Sequence, residues 1–106
     1  MNKTLIFTAT YNESNNISKL LNKIINLKQK VDLLIVDDNS PDGTSEIIKK
    51  FSKNYRNIFL KKREGKLGLN TAHIYGYNYA LKKKYQKLIT MDADLSHEPK
   101  EIPKII

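Results

Sequence analysis

Residues 31–44 read VDLLIVDDNSPDGT. Leu33–Val36 is the longest unbroken apolar run in the chain, and VDLLIV has the length of a strand. An unbroken rather than alternating run suits a strand covered on both faces, as in a parallel sheet. It ends abruptly in Asp37 and Asp38, and Pro41-Asp42-Gly43 signals a turn. To the left, Thr4–Ala9 is a second β-rich segment. It is followed by Ser14–Leu27, with Ile17, Leu20, Leu21, Ile24 and Ile25 on one helical face. Asn12, Ser14 and Asn15 are candidate caps for that helix. To the right, Thr44–Lys53 predicts a helix turning Ile47, Ile48 and Phe51 inward, and Asn57–Lys61 predicts a short strand. Leu69–Lys83 predicts a helix with Leu69, Ala72, Gly76, Tyr79 and Ala80 at helical spacing, and Lys87–Met91 a last strand. Pro99 would open a final helix carrying Ile102, Ile105 and Ile106. Strands alternating with helical crossovers predict an α/β fold with a parallel sheet and right-handed connections. The expected strand order is 3-2-1-4, as in doubly wound nucleotide-binding folds.

Composition bounds the rest. The chain has 106 residues, 40% apolar and 28% charged, enough for one small soluble domain or part of a larger one. No apolar stretch approaches the roughly 20 residues that span a bilayer, and the first residues lack a cleavage-site pattern. There is no cysteine, which excludes disulfides and thiolate metal sites. His73 and His97 lie far apart, against a histidine-built metal site. Nineteen basic residues against eleven acidic give a net charge of +8. That favours an anionic partner: nucleic acid, a phosphorylated substrate or a membrane surface. Seventeen of the nineteen are lysine, which codon bias alone would also produce. The lysines show no aromatic interleaving on a strand face, so nucleic acid is the weakest of the three.

The polar residues collect where strands end. The first strand runs into Thr10-Tyr11-Asn12-Glu13, the second into Asp37-Asp38-Asn39-Ser40, the third into Lys61-Lys62-Arg63 and the fourth into Asp92-Ala93-Asp94. In a parallel sheet all four ends share one edge, the edge that forms the ligand crevice of open α/β folds. Asp92 and Asp94, two apart, project to the same side in extended chain and suit a hard cation, Mg²⁺ or Mn²⁺. An Asx turn after a strand has the same appearance. Of Asp37 and Asp38, one is expected to face the crevice and the other to brace the turn. Glu13 alone would serve equally as a complement to a helix N-terminus. No Gly-x-Gly-x-x-Gly follows the first strand, against a dinucleotide oxidoreductase. Lys61 and Lys62 read as solvated charges, Lys82–Lys84 as a solvated helix end and His73 as structural. His97, three residues past Asp94, could reach the acidic pair.

Together these segments resemble the family 2 glycosyltransferases of the GT-A fold, and within them the enzymes that mannosylate dolichyl or polyprenyl phosphate. The matching stretches are TATYNE at 8–13, VDDNSPDGT at 36–44, KLGLNTA at 66–72 and MDADLSHEP at 91–99. The resemblance implies roles residue by residue. Ala9, Tyr11 and Glu13 would line the nucleotide pocket, and Val36 and Asp38 would hold the base and ribose. Asp92, Ala93 and Asp94 would hold the diphosphate, with Asp94 as chief metal ligand beside Asp92 and Ser96. Family members usually carry proline where Ala9 stands and often glycine where Asn70 stands. The implied reaction is inverting transfer of mannose from GDP-mannose to a dolichyl or polyprenyl phosphate, dependent on Mg²⁺ or Mn²⁺, at the cytoplasmic face of a membrane. No general base is assigned.

Three alternatives stand beside that reading. The first is another enzyme of the same family, such as a polyprenyl-phosphate glucosyltransferase or one with a glycan acceptor. The second is a non-catalytic nucleotide-binding fragment. The third, a receiver-like signalling domain, would want its acidic pair after the first strand and lacks it. Residues 1–106 are expected to form the N-terminal, nucleotide-binding half of a larger domain. The reasons are that Ile102, Ile105 and Ile106 need a surface to cover and that the fourth strand would be an open edge.

Overall fold

A computed structural model describes residues 3–26, 30–64 and 69–91. Four strands, β1 (Thr4–Thr10), β2 (Asp32–Asp37), β3 (Ile58–Lys62) and β4 (Lys87–Thr90), alternate with three helices, α1 (Ser14–Ile25), α2 (Thr44–Asn54) and α3 (Leu69–Lys82). The strands form one sheet in the order β3-β2-β1-β4, every neighbouring pair parallel. The expected order and direction are therefore observed. The strand after Val31 is buried at every residue, as its unbroken apolar run required. The final helix expected after Pro99, with Ile102, Ile105 and Ile106, lies outside the described residues.

Period-2 alternation sends the two sides of β1 and β2 to different cores. Ile6, Leu33 and Ile35 meet α1 and α2 through Ile17, Leu20, Leu21, Ile24 and Ile48. Leu5, Phe7, Leu34 and Val36 meet α3 through Ala72 and Ala80. The result is three layers, helices on both faces of the sheet. Gly76 sets the closeness of α3: a Cβ there would stand 2.5 Å from Cδ1 of Phe7.

Element ends differ from the sequence reading by a residue or two, each for a local reason. β1 runs on to Thr10 because Thr10 pairs with Asp37. α3 stops at Lys82 because Lys84 takes φ +64°. The Tyr85 N–H then bonds Ala80 O at 3.0 Å and the Lys84 N–H bonds Leu81 O at 3.1 Å, a Schellman end with lysine where glycine is usual. The expected caps of α1 are not used. Glu13 occupies the N-cap position without a side-chain bond, and the Ser14 N–H is capped from the next loop by Asp42 Oδ2 at 3.0 Å. His73 packs its ring on Phe7, centroids 5.2 Å apart, in the structural role expected of it.

Candidate functional site at the carboxyl edge of the sheet

The loops after β1 and β2 are tied into one unit by side chains of the DDNSPDGT segment. Asp37 is fully buried. Its Oδ1 accepts from Thr10 Oγ1 at 2.5 Å and Ser40 Oγ at 2.6 Å, and its Oδ2 from the Ser40 N–H at 3.0 Å. Ser40 Oγ in turn accepts the Asn12 N–H at 2.9 Å. Further out, Thr44 Oγ1 accepts the Glu13 N–H at 3.0 Å and donates to Asp42 Oδ1 at 2.5 Å. Asp42 is thus bonded to α1 through Ser14 and to α2 through Thr44. Burial acts to raise its pKa, but the bonds from Thr44 and Ser14 together outweigh that and hold it at about 2. Asn12 and Asn39 both take left-handed φ, +57° and +55°, which asparagine tolerates best among non-glycine residues. The chain can therefore turn sharply at both loops.

Asp37 is the brace, and Asp38 is the residue of the pair that faces the other way. Its side chain lies on the α3 side of the sheet. There Arg63, one residue past β3, grips it with both prongs: Nε to Oδ1 at 2.5 Å and Nη2 to Oδ2 at 2.9 Å. Arg63 Nη1 reaches Thr71 Oγ1 on α3 at 2.9 Å. The two side chains keep only 9% and 10% of their exposure. A carboxylate has about four acceptor positions, and Arg63 takes two. Asp38 is thus held rigidly while keeping acceptor capacity for a ligand.

In the sequence Arg63 stands in a basic turn that could bind an anion; its pairing with Asp38 is what the structure adds. Asp37 registers with Lys62, so the next step outward sets Asp38 against Arg63. Lys61 and Lys62 are exposed, as a solvated run should be, with Lys61 Nζ 5.9 Å from the Tyr75 ring centroid. Of the other expected site residues, Ala9 and Glu13 are half-buried and Tyr11 is exposed at the same edge. The Val36 side chain is fully buried in the α3-side core, two residues before Asp38. Asp92, Ala93, Asp94, Ser96 and His97 lie outside the described residues. β4 runs parallel to β1 toward this edge, and the Met91 N–H bonds Phe7 O at 3.0 Å.

A cleft of about 410 Å³ opens at the opposite, amino edge, between Asp32, Phe59, Tyr79 and Tyr85. Its one carboxylate, on Asp32, accepts the Tyr85 hydroxyl at 2.6 Å. Burial first, and then that bond, push the Tyr85 phenol well above its ordinary pKa. The cleft holds no second acid among its lining residues, and the loops after β1 and β2, which carry two of the matched motifs, are at the other end of the strands.

The glycosyl transferase family 2 model matches residues 5–106. The chain belongs to glycosyl transferase family 2. Polyprenol monophosphomannose synthase of Mycolicibacterium smegmatis is 32% identical over 105 residues, covering 98% of this chain and 40% of the relative. Undecaprenyl-phosphate mannosyltransferase of Micrococcus luteus is 33% identical over 104 residues, covering 98% of this chain and 43% of the relative. The chain therefore spans about two-fifths of the length of these curated relatives. Among solved structures, a Pyrobaculum calidifontis mannosyltransferase in complex with GDP-Man and Mn²⁺ superposes with TM-score 0.73 at 20% identity, over 93% of this chain and 29% of that one. S. aureus TarS superposes with TM-score 0.75 at 25% identity, over 98% and 31%. The layered α/β/α arrangement with order 3-2-1-4 is that of the GT-A glycosyltransferases.

Proposed function

We propose that this carboxyl edge is the nucleotide side of a donor site, and that the protein transfers mannose from GDP-mannose to a dolichyl or polyprenyl phosphate. The observation that carries this reading is the fixed Asp38 carboxylate, clamped by Arg63 on a strand end and flanked by the braced loop of Tyr11 and Glu13. A carboxylate so placed accepts hydrogen bonds from the ribose hydroxyls or the N–H groups of a base, as the acid after the second strand does in nucleotide folds. Tyr11 and Glu13 form the adjoining wall, with Ala9 behind them.

The reading includes a divalent cation, supported by the oxygen-donor chemistry of the sequence after β4. Among the described residues no three acidic or histidine side chains cluster to hold one; the donors of this reading are the oxygen-bearing residues that follow β4 in the sequence. Asp92, Asp94 and Ser96 would hold Mg²⁺ or Mn²⁺ with hard oxygen ligands. Bound there, the ion supplies charge neutralisation for a leaving diphosphate.

In the reaction, an oxygen of the lipid phosphate attacks the anomeric carbon of mannose. The bond from that carbon to the GDP oxygen breaks, and GDP departs with the electron pair. Configuration inverts, and the product is a mannosyl phosphodiester. The attacking monoester has a second pKa of about 6 and is largely dianionic at neutral pH, so no residue need remove a proton from it. The chain's own part is to fix the nucleoside and exclude alternative orientations.

Isothermal titration with GDP and UDP, with and without Mn²⁺, tests the reading. GDP should bind in preference to UDP, and more tightly with metal. Asp94→Ala should remove the metal-dependent increment only. Asp38→Ala should weaken GDP in both conditions, and Lys83→Ala in neither. Metal dependence undiminished in Asp94→Ala would remove Asp94 from the site, and a preference for UDP would reassign the donor.

A further inference from the structure

We propose that the outer face of α3 is a docking surface for an anionic lipid bilayer. α3 buries Ala72, Gly76 and Ala80 against the sheet. A surface helix of this size ordinarily turns polar residues outward. α3 does not: Ile74, Tyr77 and Leu81 are 60%, 58% and 61% exposed. They are the most exposed large apolar side chains among the described residues. Their spacing of three and four residues sets them in one stripe, opposite the buried face.

Charge selects the occupant. Residues 65–91 contain no aspartate or glutamate, so α3 and its flanks present no negative side chain. Lys82, Lys83, Lys84 and Lys87 are all exposed at the carboxyl end of the helix. Complementing the helix dipole would account for a cation in the last turn, but not for an apolar stripe leading to a cluster of them. Apolar side chains beside lysines, with no acid to repel a phosphate headgroup, match an interfacial helix lying along an anionic leaflet. Among the described residues no helix is long and apolar enough to cross a membrane, so contact through this face is lateral. The placement suits the proposed acceptor. α3 begins at the candidate site, where Thr71 bonds Arg63. A helix resting on the bilayer would bring that site beside the headgroups. This last step rests on the lipid-phosphate reading above; the exposed stripe and its charge do not.

The test is sedimentation of the intact chain with phosphatidylcholine vesicles, alone or carrying phosphatidylglycerol, at low and high salt. GDP affinity is measured on the same samples. Binding is expected to the anionic vesicles and to weaken with salt. Each lysine near such a surface strengthens binding about fivefold, so changing Lys82, Lys83 and Lys84 together to alanine should weaken it on the order of a hundredfold. Changing Ile74, Tyr77 and Leu81 to serine should abolish it, with GDP affinity and circular dichroism unchanged in both variants. No binding by the unaltered chain, or equal binding by either variant, would overturn the proposal. So would a dimer that the serine variant converts to monomer without any vesicle binding, which would assign the face to a second copy. Vesicle binding that follows α3 in a chain that fails to bind GDP would uphold the surface and defeat only the donor reading.

Discussion

Replacing Asp37 by alanine separates the brace from the binding residue. Asp37 is fully buried and accepts three hydrogen bonds, from Thr10 Oγ1, Ser40 Oγ and the Ser40 N–H. Hydrogen bonds to a charged group contribute about 1.5–3 kcal/mol each. Removing the carboxylate forfeits them, while relieving the several kcal/mol spent desolvating one ion. The net loss should be about 3–5 kcal/mol, a large part of the roughly 5–15 kcal/mol that holds a domain together. For a domain of this length, Tm should fall by roughly 15–30 °C. Because Ser40 Oγ also holds the Asn12 N–H, the loop carrying Tyr11 and Glu13 loosens with it, so GDP affinity should fall in parallel with stability. Asp38→Ala should behave differently. It strips the partner from the buried Arg63, so it too costs stability, but the double change Asp38→Ala with Arg63→Leu should recover most of that loss and none of the affinity. Thermal and urea unfolding followed by circular dichroism, with GDP titration, reads both. A Tm for Asp37→Ala within a few degrees of the parent would refute the brace.

Three further outcomes follow from local geometry. Gly76→Ala, ordinarily favourable in a helix by about 0.5–1 kcal/mol, should here cost about 1–3 kcal/mol. The new methyl meets the buried ring of Phe7, and a stability equal to the parent in urea would show that α3 is free to shift. Lys84→Gly should gain about 0.5–1 kcal/mol by relieving the left-handed backbone at φ +64°; a lower unfolding midpoint would contradict the Schellman end. Asp42 is held at about 2 in the fold, below the roughly 3.9 of an unfolded chain. Its folded pKa is depressed, so its contribution is complete above about pH 4 and fades as pH falls to about 2. The Tm gap between the parent and Asp42→Ala should therefore be full at pH 7 and shrink steeply as pH falls from about 4 through about 2. A gap as large at pH 2 as at pH 7 would assign the loss to something other than that carboxylate.

The sheet was legible because its signals are local. The unbroken LLIV run, the helical spacing in 17–25 and the turn at Pro41-Gly43 each state their structure within a few residues. Parallel direction and order then followed from connection rules. What the sequence left open was which of two adjacent aspartates does which task. Period-2 facing said that Asp37 and Asp38 differ, but the choice is made by Thr10 and Ser40 on one face and Arg63 on the other. These partners come from the ends of three separate strands and the turns that follow them. The caps of α1 were misplaced for the same reason: Asp42 and Thr44 supply them from 28 and 31 residues away. The place of Val36 in the nucleotide pocket came from the family resemblance, and the packing of α3 adds that its side chain is in the core.

Nucleotide is proposed to bind at the carboxyl edge of the sheet. Amide chemical shifts of the isotopically labelled chain, followed during titration with GDP-mannose and Mn²⁺, test it most directly. Large changes are expected at Tyr11, Glu13, Asp38 and Arg63, with Asn57, Tyr79 and Tyr85 at the amino edge unmoved. Changes concentrated at Asn57, Tyr79 and Tyr85, with the Asp38 and Arg63 amides silent, would place the ligand in the opposite cleft and contradict it.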